Sequence, residues 1–577
     1  MKVKNLLLMA SMMFLLLTFS CQGNSGENCV LLDNGTVVQS EVGVARVGDV
    51  LLKDGKIVSI ADSIPSDGCE VIDCVGKVVV AGFIDSHVHI ESSMVLPPAF
   101  GEAVLPFGTT SVIADPHEVV NVAGGEGLDI FLKEAAAASI DVFTVVPSSV
   151  PATPFDTNGA GKFLAKDMER FLNREDIVGL GEVMNFGDVV NRNQEIMDKI
   201  TLFKGKTIDG HTAGMPEGML DSYVSAGISN DHECYDEKGM LARYEKGMNI
   251  YIREGSAAHN AKALLTVVKN VNLNTDKFAF CTDDMHLSTI AAVGHISNIV
   301  RIALNMGFSW VDVAKMSSLN PSKYYNLVGR GDIKEGYIAD VVVIAEDASK
   351  VHYVYKNGKL VAREGELLEA GKANKVLEQY NNTVKFKDLT AADFALPENL
   401  RNVALGLVDG QLLTLRLELI GEEWKNLTRL ATIERYGKNG NIAVCAMDGY
   451  GIKDGAVATS VSHDSHNVVC AGDNEEDMAI ACNRLKEIGG GYVIASKGKI
   501  VGEVPLKAFG LMSVENAETT ASLISNLEAE AHKLGVNPNI DPFTTLSFIA
   551  LPVIPKLRLL DTGLYDTETG FVKYTNN

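Results

Sequence analysis

Long apolar runs, positive charge and cysteine are all in short supply in this 577-residue chain. The run from Leu6 to Phe19 falls short of the ~20 residues that a membrane-spanning helix requires. Lysine and arginine total 51 against 74 aspartates and glutamates, a formal net charge of -23. That excess of carboxylates repels phosphate backbones, and no basic run interleaved with aromatics offsets it. Nucleic acid is therefore not an expected partner. Nine cysteines are too sparse for a disulfide scaffold. Only Cys69 and Cys74 are close in sequence, and their spacing matches no common zinc ribbon. No GxGxxG loop follows the first strand of the α/β region and no GxxxxGKS/T loop occurs. Both absences argue against a nucleotide site.

What is present is ordinary globular material: 46% hydrophobic and 22% charged residues, enough for two to four packed domains, roughly. Lys2 and Lys4 precede the Leu6–Phe19 run in the proportions of a secretory signal. The run ends Leu17-Thr18-Phe19-Ser20-Cys21, which resembles a bacterial lipoprotein cleavage site with Cys21 lipidated. The expectation is an exported protein whose only membrane contact is that lipid. Cys234 and Cys281, beside candidate metal ligands, are most comfortable reduced, and this favours the cytoplasm instead. The two indications oppose each other.

Short strands broken by turns fill Val30 to Val80, where Asp54-Gly55 between apolar runs signals a hairpin. The pattern returns at Tyr353 to Arg363 around Asn357-Gly358, and again at Ser496 to Glu503. Between the first two lies an alternation of apolar strands and helical stretches. Eight strand candidates are legible: Val78–Ile84, Thr110–Ala114, Val142–Val146, Ile177–Gly181, Lys206–Asp209, Gly227–Asn230, Asn249–Arg253 and Lys277–Cys281. The pattern predicts an α/β fold built on a TIM-like (β/α)8 barrel over residues 81–324. A small composite β-sandwich domain takes residues 22–80 with 325–385. A C-terminal α+β domain takes 386–577 and carries a helix from Asn516 as N-cap to Gly535 just past its end. Residues 1–21 form the leader.

Catalytic groups of such a barrel project from the C-terminal ends of its strands. Here those ends hold His87, His89, His117, His211, His232 and His286, half of the chain's 12 histidines. Core packing does not produce that clustering. His-x-His on an extended strand puts both imidazoles on one side, because side chains alternate with period two. That geometry suits one metal. Nitrogen and carboxylate ligands suit manganese, ferrous iron or zinc.

The segments GFIDSHVHIESSM, ADPHEVVNVAG, GLGEVMNF, DGHTAG, GISNDHE and FCTDDMH resemble the amidohydrolase superfamily, and within it the bacterial adenine deaminases. SVSHDSHN at 460–467 resembles the C-terminal domain of that family, so the likeness runs from about Val30 to the C-terminus. The resemblance implies two divalent metals, manganese or ferrous iron ahead of zinc. His87, His89 and Asp283 would hold one, and His211 and His232 the other. Glu182 would bridge them where many superfamily members place a carbamylated lysine. It also implies hydrolysis of adenine to hypoxanthine and ammonia in purine salvage, a homo-oligomer such as a dimer, and a cytoplasmic location. That location is at odds with the leader.

Deamination requires water to lose a proton, the ring nitrogen beside the reacting carbon to gain one, and ammonia to leave neutral. Glu233, Asp283 and Asp284 are the candidate proton carriers. Glu233 is expected to face the substrate, since neighbours at a strand end point to different sides. Glu91, Ser92, His117, Glu118, His463, Asp464 and His466 are candidate substrate-binding residues, and His117 with Glu118 could instead hold an accessory metal. The competing functions are a cyclic-amide hydrolase of the dihydroorotase or hydantoinase type and a purine-binding metalloprotein without turnover. The His-x-Glu and Pro-Cys-x-x-Cys signature of cytidine deaminases is absent.

Overall fold

The computed structural model describes residues 29–256, 258–369, 380, 383–409 and 411–572. The expected leader and Cys21 lie outside them. The strands of the central block are β1 (Phe83–Val88), β2 (Thr109–Ala114), β3 (Asp141–Val146), β4 (Ile177–Val183), β5 (Thr207–Gly210), β6 (Asn230–Asp231), β7 (Asn249–Arg253) and β8 (Phe278–Cys281). β1 to β5 pair in parallel in one sheet and β6 to β8 in another. The ring closes at both seams. Asp283 N donates to His87 O at 2.9 Å, and His89 N to Asp283 O at 3.1 Å; Ser229 N donates to Ile208 O at 3.1 Å. Ile84, Ile113, Val145, Val178, Tyr251, Ala279 and Cys281 pack as one buried cluster of strand side chains, so the barrel is a filled core rather than a pore.

The strand expected over Val78–Ile84 is in fact two. Lys77–Ala81 pairs antiparallel with Val341–Ala345 in a nine-stranded sheet, and β1 begins afresh at Phe83. Gly82 is the break. A Cβ there would stand 2.2 Å from Thr110 Oγ1, so only glycine lets the chain cross from sheet to barrel so near β2. The nine-stranded sheet takes its strands from residues 29–81 and 341–367, on either side of the barrel.

All three hairpin echoes are hairpins, each with positive φ at both turn residues: Asp54-Gly55, Asn357-Gly358 and Lys497-Gly498. That double left-handed turn matches the twist of the flanking strands. Cys29 is disulfide-bonded to Cys69, tying the first described strand to the loop before Glu70–Asp73. Sequence proximity had drawn attention to Cys69 and Cys74, but Cys74 is buried and free.

After residue 383 an eight-stranded sheet is built from strands between Val403 and Pro505. Two long helices accompany it, Glu475–Glu487 and Ala517–Lys533. The second starts where the sequence predicts, with the Asn516 side chain accepting from Thr519 N, as an N-cap does. The loop between Gly455–Thr459 and Val468–Gly472 in that sheet carries His463 to His466 to the rim of the barrel.

Candidate active site

The C-terminal ends of the barrel strands converge on one cluster. His87 and His89, at and just past the end of β1, bring their Nε2 atoms within 3.2 Å of each other. His89 Nε2 is 3.1 Å from Asp283 Oδ1 and 3.5 Å from Glu182 Oε1. His232 Nε2 is 3.3 Å from Glu182 Oε2, and His211 Nδ1 is 2.6 Å from the same oxygen. Glu182 therefore joins two sets of nitrogens through its two oxygens. His89 Nδ1 stands 2.8 Å from the backbone carbonyl of Asp115, which fixes its N–H on that side and leaves Nε2 with its lone pair turned to the cluster. Nitrogens and carboxylate oxygens converging at such distances suit a shared cation. His87, Glu182 and His232 form one candidate metal triad, and His87, His89 and Asp283 another. His232 Nε2, buried, has no hydrogen-bond partner among the described residues. The residues present fit a divalent metal pair.

Charge follows from burial and neighbours. Burial pushes the Glu182 carboxyl up, but His211, His117 and His232 outweigh it and hold Glu182 well below the usual carboxylate range. Burial, then the nearby His232 and His89, keep His87 neutral. Asp283 has φ of 59°, a left-handed conformation uncommon outside glycine. The two backbone bonds at the β1–β8 seam hold it there and aim its carboxylate at His89.

Glu233 departs from expectation. It lines the same cavity, but its Oε1 lies 3.4 Å from His232 Nε2 and 3.7 Å from His211 Nδ1. β6 comprises only Asn230 and Asp231, so His232 and Glu233 sit beyond the strand end, where the alternation of side chains no longer applies. Arg253, the last residue of β7, donates to both Glu233 oxygens at 2.5 and 3.0 Å and to Asp283 Oδ2 at 2.6 Å. Burial alone would raise Glu233; Arg253 foremost, then His211 and His232, keep its carboxyl well below the usual range. Sequence reasoning passed over Arg253. Its one visible signal was a lone arginine at a strand end among acids and histidines.

Beneath the rim, strand-end aspartates lock neighbouring strands. Asp85 accepts from Thr282 N at 3.1 Å, Asp115 from Glu182 N at 2.8 Å, and Asp209 from Asn230 Nδ2 at 2.7 Å and Tyr325 OH at 2.8 Å. Burial raises all three to about 7. Gly181 makes room for this: a Cβ there would meet Asp115 Oδ2 at 2.3 Å. Ser148 and Ser149 donate to Glu182 O at 2.6 and 3.1 Å and steady Glu182 from behind.

The cluster floors a cavity of about 800 Å³. Asp284, His117, Glu118, His463 and Asp464 line it, the last two reaching in from the eight-stranded region. Leu412, Phe548, Leu551, Val553 and Ile554 add an apolar wall. Three of the expected substrate-binding residues do not line it. Ser92 sits behind Asp284 and donates its hydroxyl to that carboxylate. Glu91 is buried and accepts from Val119 N at 3.3 Å, standing in for a cap on the helix His117–Ala135, whose N-cap position is proline. His466 accepts from Ser462 N at 3.1 Å and shapes its own loop. His286 precedes the helix Leu287–Val293, away from the cluster.

Residues 415–570 match the adenine deaminase C-terminal domain, and residues 78–361 match the amidohydrolase family. An adenine deaminase of Desulfitobacterium hafniense (strain Y51) is 38% identical over 556 residues, covering 94% of this chain and 96% of its own length. One from Lysinibacillus sphaericus (strain C3-41) is 37% identical over 555 residues, covering 93% and 95%. Among solved structures, an adenine deaminase is 16% identical with a TM-score of 0.45, covering 57% of this chain and 98% of that one. A β-aspartyl dipeptidase from Fervidobacterium islandicum AW-1 is 14% identical with a TM-score of 0.46, covering 60% and 99%.

Proposed function

The chain belongs to the adenine deaminase family of amidohydrolases, and from that premise we infer that it hydrolyses the exocyclic C–N bond of adenine, giving hypoxanthine and ammonia. The observation that carries the reading is the Glu182 carboxylate, which joins His89 through one oxygen and His211 and His232 through the other, on the floor of a cavity walled by both parts of the chain.

Two divalent metals fit this set. His87, His89 and Asp283 would hold one, His211 and His232 the other, and Glu182 would serve both; manganese or ferrous iron suits the ligands, as does zinc. Such ions, when bound, lower the pKa of water towards neutrality and polarise it for attack. The water oxygen bonds to the amine-bearing carbon while the neighbouring ring nitrogen takes a proton. The C–N bond then breaks as the amine takes up the remaining water proton and leaves as ammonia.

The chain's own residues manage those protons. Arg253 keeps Glu233 ionised and fixed at the cavity wall, placed to relay a proton from the attacking water to the purine. Asp284, steadied by Ser92, faces the same cavity and serves the purine edge. Asp283, in its left-handed conformation, orients rather than shuttles. The apolar wall excludes water from the reacting face and accommodates a flat ring.

The disulfide Cys29–Cys69 supports the exported location expected from the leader and Cys21, because disulfides persist in oxidising compartments. The activity test is direct. Metal-loaded protein is assayed for ammonia release from adenine and adenosine, with dihydroorotate as the cyclic-amide control. Adenine is expected to turn over fastest by a wide margin; faster turnover of dihydroorotate would overturn the reading.

A further inference from the structure

Beyond the pair centred on Glu182, a second group of ligand-type side chains meets where barrel and C-terminal region touch. His117 and Glu118 open the helix after β2, and His463 and Asp464 come from the loop of the eight-stranded sheet. All four are buried, with exposures of 5%, 1%, 7% and 5%. Glu118 Oε1 lies 3.4 Å from His463 Nδ1 and 3.6 Å from His117 Nε2, and His117 Nε2 is 3.8 Å from Asp464 Oδ1.

These separations run from 3.4 to 3.8 Å. They are long for hydrogen bonds, which place such atoms about 2.7–3.2 Å apart. The 3.4 Å contact suits a shared ion, since bonds of about 2.0–2.1 Å in tetrahedral geometry set ligand atoms roughly 3.3–3.4 Å apart, and the 3.6 and 3.8 Å contacts would have to close by a few tenths of an ångström around it. The bland reading is a hydrogen-bonded polar interface, but both Glu118 oxygens and Asp464 Oδ2 lack a hydrogen-bond partner among the described residues. Buried carboxylate oxygens left in that state are costly unless a cation or water meets them. His117, His463 and Asp464 also meet the distance criterion for a metal triad.

His117 is turned for the task. Its Nε2 faces Glu118 and Asp464, and its buried Nδ1, 3.3 Å from Glu182 Oε1, has no hydrogen-bond partner among the described residues. None of the four residues belongs to the ligand set of the first pair.

We propose that His117, Glu118, His463 and Asp464 bind a third divalent transition ion, which fastens the C-terminal region to the barrel rim and sets the far end of the cavity. The proposal goes beyond the deaminase reading and does not depend on adenine being the substrate.

The test is a count and a position. Metal-stripped full-length protein is dialysed to equilibrium against manganese and analysed for metal, and crystals of the same protein are measured for anomalous scattering. Three ions per chain are expected, with one anomalous peak between Glu118 and His463. Asp464→Asn and His463→Gln should each reduce the count to two while leaving the pair at Glu182 in place. Two ions in the parent protein with no peak at that position would overturn the proposal, while leaving adenine turnover to be judged separately. Three ions in both variants would overturn it too. Because the peak is sought in the parent protein, a variant that folds poorly does not decide the matter.

Discussion

Arg253 holds Glu233 in a two-pronged grip, Nη1 to Oε1 at 2.5 Å and Nη2 to Oε2 at 3.0 Å. A guanidinium fork of that kind fixes both the orientation and the charge of a carboxylate. In a buried rim crowded with acids, it lets Glu233 and Asp283 be ionised side by side.

Replacing Arg253 with methionine should therefore raise the Glu233 carboxyl towards the ordinary range and free its side chain to move. Glu233 must be ionised to accept a proton, so activity on the acidic limb should disappear at higher pH than in the parent. A loss of about 100- to 1,000-fold in kcat at pH 7 is expected, comparable to removing a preorganised electrostatic partner. Arg253→Lys should restore part of it. An acidic limb that does not move in the pH–rate profile would contradict the role.

Glu233→Gln keeps the size and much of the hydrogen bonding but cannot exchange the proton. Turnover should fall about 100- to 10,000-fold, with the pair of metals at Glu182 retained. If metal analysis finds an ion lost, Glu233 is a ligand instead. Its place within 3.4 Å of His232 Nε2 makes that contrast measurable.

Glu182→Gln should weaken metal binding by more than about 100-fold, a larger effect than the loss of an outer partner. A neutral amide offers a single oxygen to the three histidines that now surround two charged ones. Competition with a chelator measures the change; unaltered affinity would remove Glu182 from the bridging position.

Glu528, far from the metals, supplies a pH test of stability. Burial, then the charge of Asp541, raises its carboxyl to about 7. A raised carboxyl means that the folded protein binds more protons than the unfolded chain between the model value of 4.5 and about 7. Stability from this group is thus full below that window and lost as pH rises through it. Glu528→Gln should match the parent's melting temperature at pH 4 and exceed it at pH 8. Equal midpoints at both values would show that Glu528 titrates normally.

The Cys29–Cys69 bond closes a sequence separation of 40 residues, for which chain entropy gives about 4 kcal/mol of stabilisation. Cys29→Ser should lower stability by about 2–4 kcal/mol in oxidising buffer and leave it unchanged in reductant. Peptide mapping under non-reducing conditions of protein taken from its native cells should recover the linked pair. Reduced thiols there would remove the support for export.

The barrel strands were legible because most are short apolar runs that end abruptly in histidine or carboxylate, and the hairpins because Asp-Gly and Asn-Gly tolerate positive φ. The His-x-His pair was legible for a similar local reason, since period-two alternation holds inside a strand. Glu233 lines the cavity as expected, but its nearness to His232 Nε2 and His211 Nδ1 was not legible, because alternation stops past a strand of two residues. Ser92, Glu91 and His466 neighbour reactive positions in sequence, yet their side chains serve Asp284, a helix start and a loop.

By itself, then, the sequence determined which chemical groups stand at each strand end, and hence the metal-binding character of the rim. Only the tertiary structure decided that Arg253 holds Glu233, that Cys29 reaches Cys69 rather than Cys74, and that His463 meets Glu118. The reason is distance along the chain. Periodicity and turn chemistry act over a few residues, whereas these contacts join segments 20, 40 and more than 300 residues apart, and only the closed barrel with its neighbouring sheets brings them together.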